Sequence, residues 1–199
     1  MITCKELRSR ARATLDGNIF GTTWLYGLVA LLLLSVAQSI SSIVVVGPLL
    51  ITGPLSVGLA KYFLGATRRN NDKNNLAVLL DGFTNNIVNN LLSGILVFLY
   101  TLLWSFLFVI PGIIKSYSYS MTYYILSDHP EYTPTEAITA SRQMMDGYKW
   151  KSFILDLSFI GWYFVGALVC GVGTLWVNPY HQAARTELYE EIKRAKNIY

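Results

Sequence analysis

Apolar residues along this chain are concentrated in three long runs that contain no charged side chain. The runs cover residues 24–60, 82–114 and 157–180. Each is longer than the roughly 20 residues that a helix needs to cross a bilayer. Polar or amphipathic segments of helical character come before the runs, among them "CKELRSRARATL" and "PTEAITASRQMM". The pattern predicts an all-α fold, a polytopic membrane helix bundle.

Each run is also divided by a break rich in glycine and proline, within "VGPLL", "IPGII" and "CGVGT". A tight turn there, at Gly47, at Pro111–Gly112 and near residue 171, would fold each run into a helical hairpin, giving about six spans. The last helix, "TLWVNPYHQAARTELYEEIK", contains Pro179, Arg185 and Glu187. It could instead be a shallow or cytoplasmic helix, but we expect a sixth span.

The dipeptide Asp-Gly precedes or opens these apolar stretches at a constant interval. Its aspartates are 65 residues apart, and the three pairs are Asp16–Gly17, Asp81–Gly82 and Asp146–Gly147. Six aspartates and 15 glycines predict fewer than one such pair by chance, so the spacing indicates internal repetition. We therefore predict a single membrane domain, 1–199, of three tandem pseudo-repeats, at about 4–69, 70–133 and 134–196. Each repeat would comprise an interfacial helix and a transmembrane hairpin.

Glycine gives the repeated dipeptide a physical role. A helix often ends with glycine in the left-handed conformation, so we predict that interfacial helices end at Gly17, Gly82 and Gly147. The aspartates would pair with an arginine one turn earlier or cap the following helix. Both residues are common in turns, and the dipeptide is assigned a structural role without chemistry.

Composition and charge agree with a membrane protein. Only 14% of the residues are charged, against about 25% in soluble domains. The first run is too long for a signal-peptide core and lacks a small-residue cleavage site, so we expect an uncleaved anchor. Fourteen of the sixteen Lys and Arg residues flank the hairpins, whereas the three turns hold only Lys115. Both termini should then be cytoplasmic, and the net charge of +4 reflects orientation and not nucleic-acid binding.

Three ionisable residues lie within or beside the predicted spans. Lys61 and Asp156 are about 10 Å and about 7 Å deep from the same face, at 1.5 Å per residue, and could pair. An ion at mid-helix costs about 2.5–3.5 kcal/mol, so its presence suggests a partner or a role. Alternatively, Lys61 reaches the interface and Lys115 meets headgroups. With Tyr119 and Tyr180, these residues are the candidate ligand-binding residues, although tyrosines are also common at membrane interfaces.

The second helix of each hairpin is shorter and richer in polar residues than the first. Polar residues at membrane depth usually face the bundle interior or a water-filled cavity. We therefore hypothesise that the second helices form an inner layer that the first helices shield from lipid.

No catalytic, metal or cofactor signature is evident in the sequence. His129 and His181 each lack a second nearby ligand, and the common hydrolase and nucleotide-binding motifs are absent. We expect no enzyme, no metal and no cofactor. Cys4 and Cys170 have no metal-like spacing, and we expect both to be free.

The segment "LWSFLFVIPGIIKSYSYSMTYYILSDHPEYTPTEAITASRQMMDGYKWKSFILDLSFIGW", followed by "GVGTLWVNPY", resembles a bacterial membrane-protein family. This family is catalogued as domain of unknown function 975. The chain is also distantly similar to the membrane domain that accompanies some bacterial glycerophosphodiester phosphodiesterases. The resemblance implies a multi-pass protein of the bacterial cytoplasmic membrane, but it brings no activity and no site residues.

Two classes of function remain open. One is a non-enzymatic module that binds lipid or peptide or supports other membrane proteins; its partners would be membrane lipids, anionic ones among them, and a membrane protein. The other is a small transporter or channel with a path lined by the polar second helices. Three repeats of one orientation provide no inverted pair for alternating access, so we favour the first class.

Overall fold

The computed structural model describes residues 3–14, 22–41, 47–68, 76–107, 109–168 and 172–196. Within these residues all regular secondary structure is helical, which confirms the predicted all-α class. The elements in chain order are α1 (Cys4–Thr14), α2 (Thr22–Ser41), α3 (Gly47–Thr67), a 3₁₀ helix (Leu76–Leu80), α4 (Asp81–Thr84), α5 (Ile87–Leu107), α6 (Val109–Tyr119), α7 (Thr122–Asp128), α8 (Pro134–Met144), α9 (Lys149–Leu168) and α10 (Val172–Ala195).

Helix α5 is a candidate membrane span. Among the described residues it is the one helix long and apolar enough to cross a bilayer, over Ile87–Phe106 with a mean hydropathy of 1.8. Its 20 residues correspond to about 30 Å at 1.5 Å per residue, which matches the hydrocarbon thickness of a membrane. A shorter apolar helical stretch covers Thr23–Val36 in α2.

The chain divides into two compact units. Unit 1 comprises Met1–Leu32, Tyr62–Leu76 and Trp150–Tyr199, and unit 2 comprises Leu33–Lys61 and Ala77–Lys149. Helices α1 and α10 and nearly all of α9 therefore belong to unit 1, whereas α4 to α8 belong to unit 2.

Unit 1 is built around the packing of α1 against α10. Leu7, Ala11 and Thr14 recur at helical spacing along one face of α1, and all three are buried. On α10 the small residues Ala183 and Ala184 are also fully buried, which lets two helices approach closely. The buried hydroxyl of Thr14 donates a hydrogen bond of 2.9 Å to Glu187 of α10. This contact ties the amino-terminal helix to the carboxy-terminal one.

Unit 2 is organised around α5, which packs against α4, α6, α7 and α8. Polar contacts fix the ends of its elements. The side-chain amide of Asn90 in α5 donates to the carbonyl oxygens of Gly82 (2.7 Å) and Asn85 (2.9 Å). Helix α8 begins with a capping box, in which Thr133 and Glu136 bond each other's backbone amides.

The predicted Gly turns have different outcomes. Gly147 follows α8 with φ +82°, so the left-handed turn predicted there is confirmed. The prediction for Gly82 is wrong, because this residue lies inside α4 and is needed for a close backbone approach. A Cβ at Gly82 would lie 1.9 Å from the carbonyl oxygen of Pro54 in α3. Asp16 and Gly17 lie outside the described residues.

The predicted role of Asp81, as a helix cap or as the partner of a residue one turn earlier, is also wrong. It is the first residue of α4, whose N-cap is Leu80. Its carboxylate pairs with Lys61 of α3, 20 residues earlier in the chain. Asp146, by contrast, lies in the turn after α8, as the repeat predicts.

The prediction of a turn at Pro111–Gly112 is wrong, because both residues are in the first turn of α6. Proline is tolerated there because the first amide groups of a helix have no intrahelical acceptor. Gly112 serves the packing of α6 on α5. A Cβ at this position would lie 2.4 Å from Ser105 Oγ and 2.9 Å from Ser105 Cα.

The second helix predicted for the middle hairpin is two helices, α6 and α7, separated at Ser120–Met121. Ser141 of α8 bonds both sides of this break. Its hydroxyl donates to the carbonyl oxygen of Ser118 (2.8 Å) and accepts from the Met121 amide (3.2 Å). A buried hydroxyl from a neighbouring helix therefore satisfies backbone groups that the break exposes.

Candidate functional site

A cluster of ionisable side chains joins α9 to α10 in unit 1. Asp156 of α9 accepts a hydrogen bond from His181 Nε2 (2.8 Å) at Oδ1 and one from Arg185 Nη2 (2.6 Å) at Oδ2. Arg185 Nε also lies 3.2 Å from Oδ1, so the guanidinium binds the carboxylate with two nitrogens. The side chains of Asp156 and His181 are only 18% and 16% exposed, and that of Arg185 is 32% exposed.

Tyr163 and Asn178 extend this cluster into a chain of polar groups. The Tyr163 hydroxyl lies 2.8 Å from Asn178 Oδ1 and 3.1 Å from His181 Nδ1. This hydroxyl has one proton to donate. The hydroxyl donates this proton to Asn178, and the side chains of Tyr163, Asn178 and His181 form a continuous polar chain between α9 and α10.

Aromatic packing shields the cluster on α9. Phe159 is fully buried, and its ring centroid lies 4.7 Å from that of His181 and 5.0 Å from that of Tyr180. The Tyr180 hydroxyl donates to the backbone carbonyl of Arg8 in α1 (3.1 Å). Tyr180 thus links α10 to α1, next to the ionisable cluster.

A second charged pair lies in unit 2. Lys61 Nζ is 2.5 Å from Asp81 Oδ2, and their side chains are 43% and 34% exposed. The pair borders a small pocket of about 30 Å³, whose other lining residues include Asn90 and Ser127. The Ser127 hydroxyl oxygen is buried and has no hydrogen-bond partner among the described residues.

The predicted pairing of Lys61 with Asp156 is wrong. Lys61 pairs with Asp81, and Asp156 pairs with His181 and Arg185. The number of residues from the membrane face gives Lys61 and Asp156 similar depths. The depth of a residue along its helix does not determine which neighbouring side chain it faces.

The other candidate residues occupy separate places. Lys115 Nζ lies 4.4 Å from the ring centroid of Trp104 in a cation–π contact. Tyr119 is buried beside Tyr100, with ring centroids 6.1 Å apart. Ser118 is also buried, so this part of the second helix faces the protein interior of unit 2.

His181 and Arg185 were not recognised as site residues from the sequence, although one signal was present. They are four residues apart, so they lie on the same face of a helix. A guanidinium beside a mostly apolar region favours an acidic partner, and Asp156 is the one acidic residue of the preceding segment 152–180.

The chemistry of the α9–α10 cluster is acid–base and electrostatic. Carboxylate, imidazole and phenol are the groups that proteins use in acid–base chemistry, and the guanidinium binds the carboxylate through two nitrogens. Within the described ranges, no three His, Cys, Asp or Glu residues come together in a way that could hold a metal ion. Cys4 is a free thiol, and Cys170 lies outside the described residues.

Comparison with known proteins identifies one family. Residues 107–196 match the model of the family described as "Protein of unknown function (DUF975)", which confirms the resemblance over that segment. No curated protein and no solved structure matches the chain. The comparisons do not show the distant similarity to the membrane domain of glycerophosphodiester phosphodiesterases. Asp156, His181 and Arg185 lie inside the matched segment, whereas Lys61 and Asp81 lie before it.

Proposed function

We propose that this chain, whose residues 107–196 match the DUF975 family model, is a non-enzymatic module of the bacterial cytoplasmic membrane. In this proposal the protein crosses the membrane several times, binds anionic lipid at its cytoplasmic side and supports other membrane proteins. The family match brings no activity, so the proposal depends on the placement of apolar and basic side chains.

The order of the helices is consistent with three tandem hairpins. A short helix precedes two longer ones in α1–α2–α3 and again in α8–α9–α10. In the middle of the chain, the 3₁₀ helix and α4 precede α5, and α6 with α7 takes the place of the second long helix. In the proposed topology each of these three groups enters the membrane from the cytoplasmic side and returns to it.

Helix α9 has the two faces expected of a lipid-exposed span. Its one acidic side chain, Asp156, is paired, and Leu155 and Phe159 beside it are fully buried. The rest of the helix exposes large apolar side chains, which a lipid environment would cover. These are Trp150, Ile154, Leu157, Ile160, Trp162, Phe164 and Val165.

The observation that carries the proposal is a collection of basic segments at one end of unit 1. Arg68, just after α3, bonds Glu190 of α10 through Nε (2.7 Å), and Arg10 of α1 lies 3.9 Å from Glu191. Three segments that are far apart in the sequence, all rich in Lys and Arg, therefore meet at the end of α10. Because Glu190 and Glu191 face two of these arginines, the exposed Lys5 and Arg194 contribute the positive charge of this basic surface. A basic surface is typical of the cytoplasmic side and suits anionic headgroups.

We expect anionic lipid binding to depend on the exposed charges of this surface. Lys5 of α1 and Arg194 of α10 are both exposed. A basic residue near an anionic surface contributes about 1 kcal/mol, so the double variant Lys5→Gln/Arg194→Gln should bind phosphatidylglycerol roughly thirtyfold more weakly. The measurement is the enrichment of phosphatidylglycerol over phosphatidylcholine around the purified protein in mixed-lipid nanodiscs, by mass spectrometry.

The matched control for this experiment is Lys5→Arg/Arg194→Lys, which changes the same positions and keeps both charges. This control should retain the enrichment. Equal amounts of the two lipids around the wild-type protein would contradict the proposal, as would an equal loss in the control.

A second candidate function, a small transporter or channel, is favoured by the proton-exchanging groups between α9 and α10. Asp156, His181 and Tyr163 are linked by hydrogen bonds at 2.8 Å and 3.1 Å. Reconstitution into liposomes separates the two functions. Ion or proton flux that Asp156→Asn abolishes would favour transport, and lipid enrichment without flux would favour the binding module.

A further inference from the structure

The small pocket beside Lys61 and Asp81 has the size of one or two water-sized groups. Its volume is about 30 Å³, and all of its lining residues belong to unit 2. A group of water size needs at least about 10–15 Å³. The pocket is therefore large enough for a primary ammonium group, and the bulkier trimethylammonium group of a choline fits it less well.

Two opposite charges border this pocket, and both are accessible. The Lys61 and Asp81 side chains are about two-fifths and one-third exposed, and their charged atoms are 2.5 Å apart. A pair that is partly exposed gains little from its mutual contact. A ligand that carries both a positive and a negative charge can replace the Lys61–Asp81 ion pair with two ion pairs. Its anionic group would bind Lys61, and its cationic group would bind Asp81.

The residues that line the pocket also carry acceptors that suit the three N–H bonds of an ammonium group. Asn90 is buried, and its amide nitrogen already donates to the carbonyls of Gly82 and Asn85, so its oxygen remains to accept. The Ser127 hydroxyl oxygen is buried and has no partner among the described residues. With the carboxylate of Asp81, these atoms provide three acceptors of different kinds.

From these contacts we propose that the pocket binds a phosphoethanolamine group, as carried by an ethanolamine phospholipid. The primary ammonium enters the pocket and contacts Asp81, Asn90 and Ser127. The phosphate stays at the opening with Lys61. This inference rests on the proposed location of the protein in a lipid bilayer, but it concerns a zwitterionic ligand and a site separate from the basic surface of unit 1.

Short-chain ethanolamine and choline phospholipids with identical acyl chains test the inference, because their headgroups differ only in three methyl groups. The full-length protein in detergent micelles should bind the ethanolamine lipid about tenfold or more tightly than the choline lipid, by native mass spectrometry. Asp81→Asn should remove this preference, and Ser127→Ala should reduce it about three- to tenfold. The control Glu136→Gln removes a negative charge elsewhere in unit 2 and keeps a residue that suits a capping box, so it should retain the preference.

Two results would overturn the inference: equal binding of the two lipids by the wild-type protein, or a preference that persists in Asp81→Asn. Competition with free phosphoethanolamine shows whether the bound group comes from a lipid or from a soluble molecule. If the acyl chains contribute to binding, free phosphoethanolamine should displace the ethanolamine lipid only weakly. If it competes as strongly as the lipid does, the headgroup chemistry is supported and the ligand is assigned to a soluble source. The phosphatidylglycerol experiment on Lys5 and Arg194 uses other residues and another lipid. Its result therefore tests the proposed function separately from the ethanolamine site.

Discussion

Replacing Gly82 with alanine is expected to destabilise the protein by about 3 kcal/mol or more, because the new methyl group meets backbone atoms. Its Cβ would lie 1.9 Å from the carbonyl oxygen of Pro54, 2.8 Å from the carbonyl carbon of Pro54, and 3.2 Å from the amide nitrogen of Gly58. These atoms belong to α3 and cannot rotate away as a side chain could. Denaturation of the purified protein in detergent micelles measures the loss in free energy of unfolding.

Gly65→Ala is the matched control, since Gly65 is also helical but has no heavy atom within 4 Å of a built Cβ. Alanine is the better helix former, so this variant should be unchanged or more stable by roughly 0.5–1 kcal/mol. If Gly82→Ala and Gly65→Ala had similar stabilities, the close approach of α4 to α3 would be refuted.

Loss of Asp156 is the second large effect that the structure predicts. Asp156→Ala leaves Arg185 and His181 without their carboxylate in a largely buried site. Breaking a buried ion pair costs about 3–5 kcal/mol, and we expect about 3 kcal/mol because Arg185 is 32% exposed. The same denaturation assay gives the change in the free energy of unfolding.

A double-mutant cycle separates this electrostatic effect from lost packing. Asp156→Leu/Arg185→Leu removes both charges and keeps apolar volume, so it should be less destabilised than the sum of the two single variants. Additive effects would mean that Asp156 and Arg185 do not stabilise each other, in conflict with their 2.6 Å contact.

The helical elements of this chain could be predicted from local patterns. The hydropathy of residues 87–106 predicts a spanning helix, and α5 lies there. Gly147 could be assigned to a left-handed turn because it follows an amphipathic segment with clear helix signals. The local sequence is enough to predict a turn of this kind. Gly82 could not, because its contact with Pro54 joins positions 28 residues apart and depends on how α3 and α4 pack.

The partners in the candidate sites were harder to predict than the elements. The rise per residue gives the depth of Lys61 and Asp156, but the choice of partner depends on helix rotation and on the folding of the chain between them. Lys61 therefore pairs with Asp81, which the sequence marked as a turn residue that caps a helix or pairs one turn earlier. His181 and Arg185 were detectable as two basic residues on one helix face, whereas their joint contact with Asp156 required the α9–α10 packing.

The central proposal, three helical hairpins that enter the membrane from the same side, is tested most directly by mapping single cysteines from each side. Cys4 and Cys170 are first replaced by serine. In intact cells, a membrane-impermeant maleimide should label Ser116→Cys in α6, whereas Ser9→Cys in α1 and Thr135→Cys in α8 should react only after the membrane is opened. Labelling of Ser9→Cys and Thr135→Cys from opposite sides of the membrane would contradict the proposed topology.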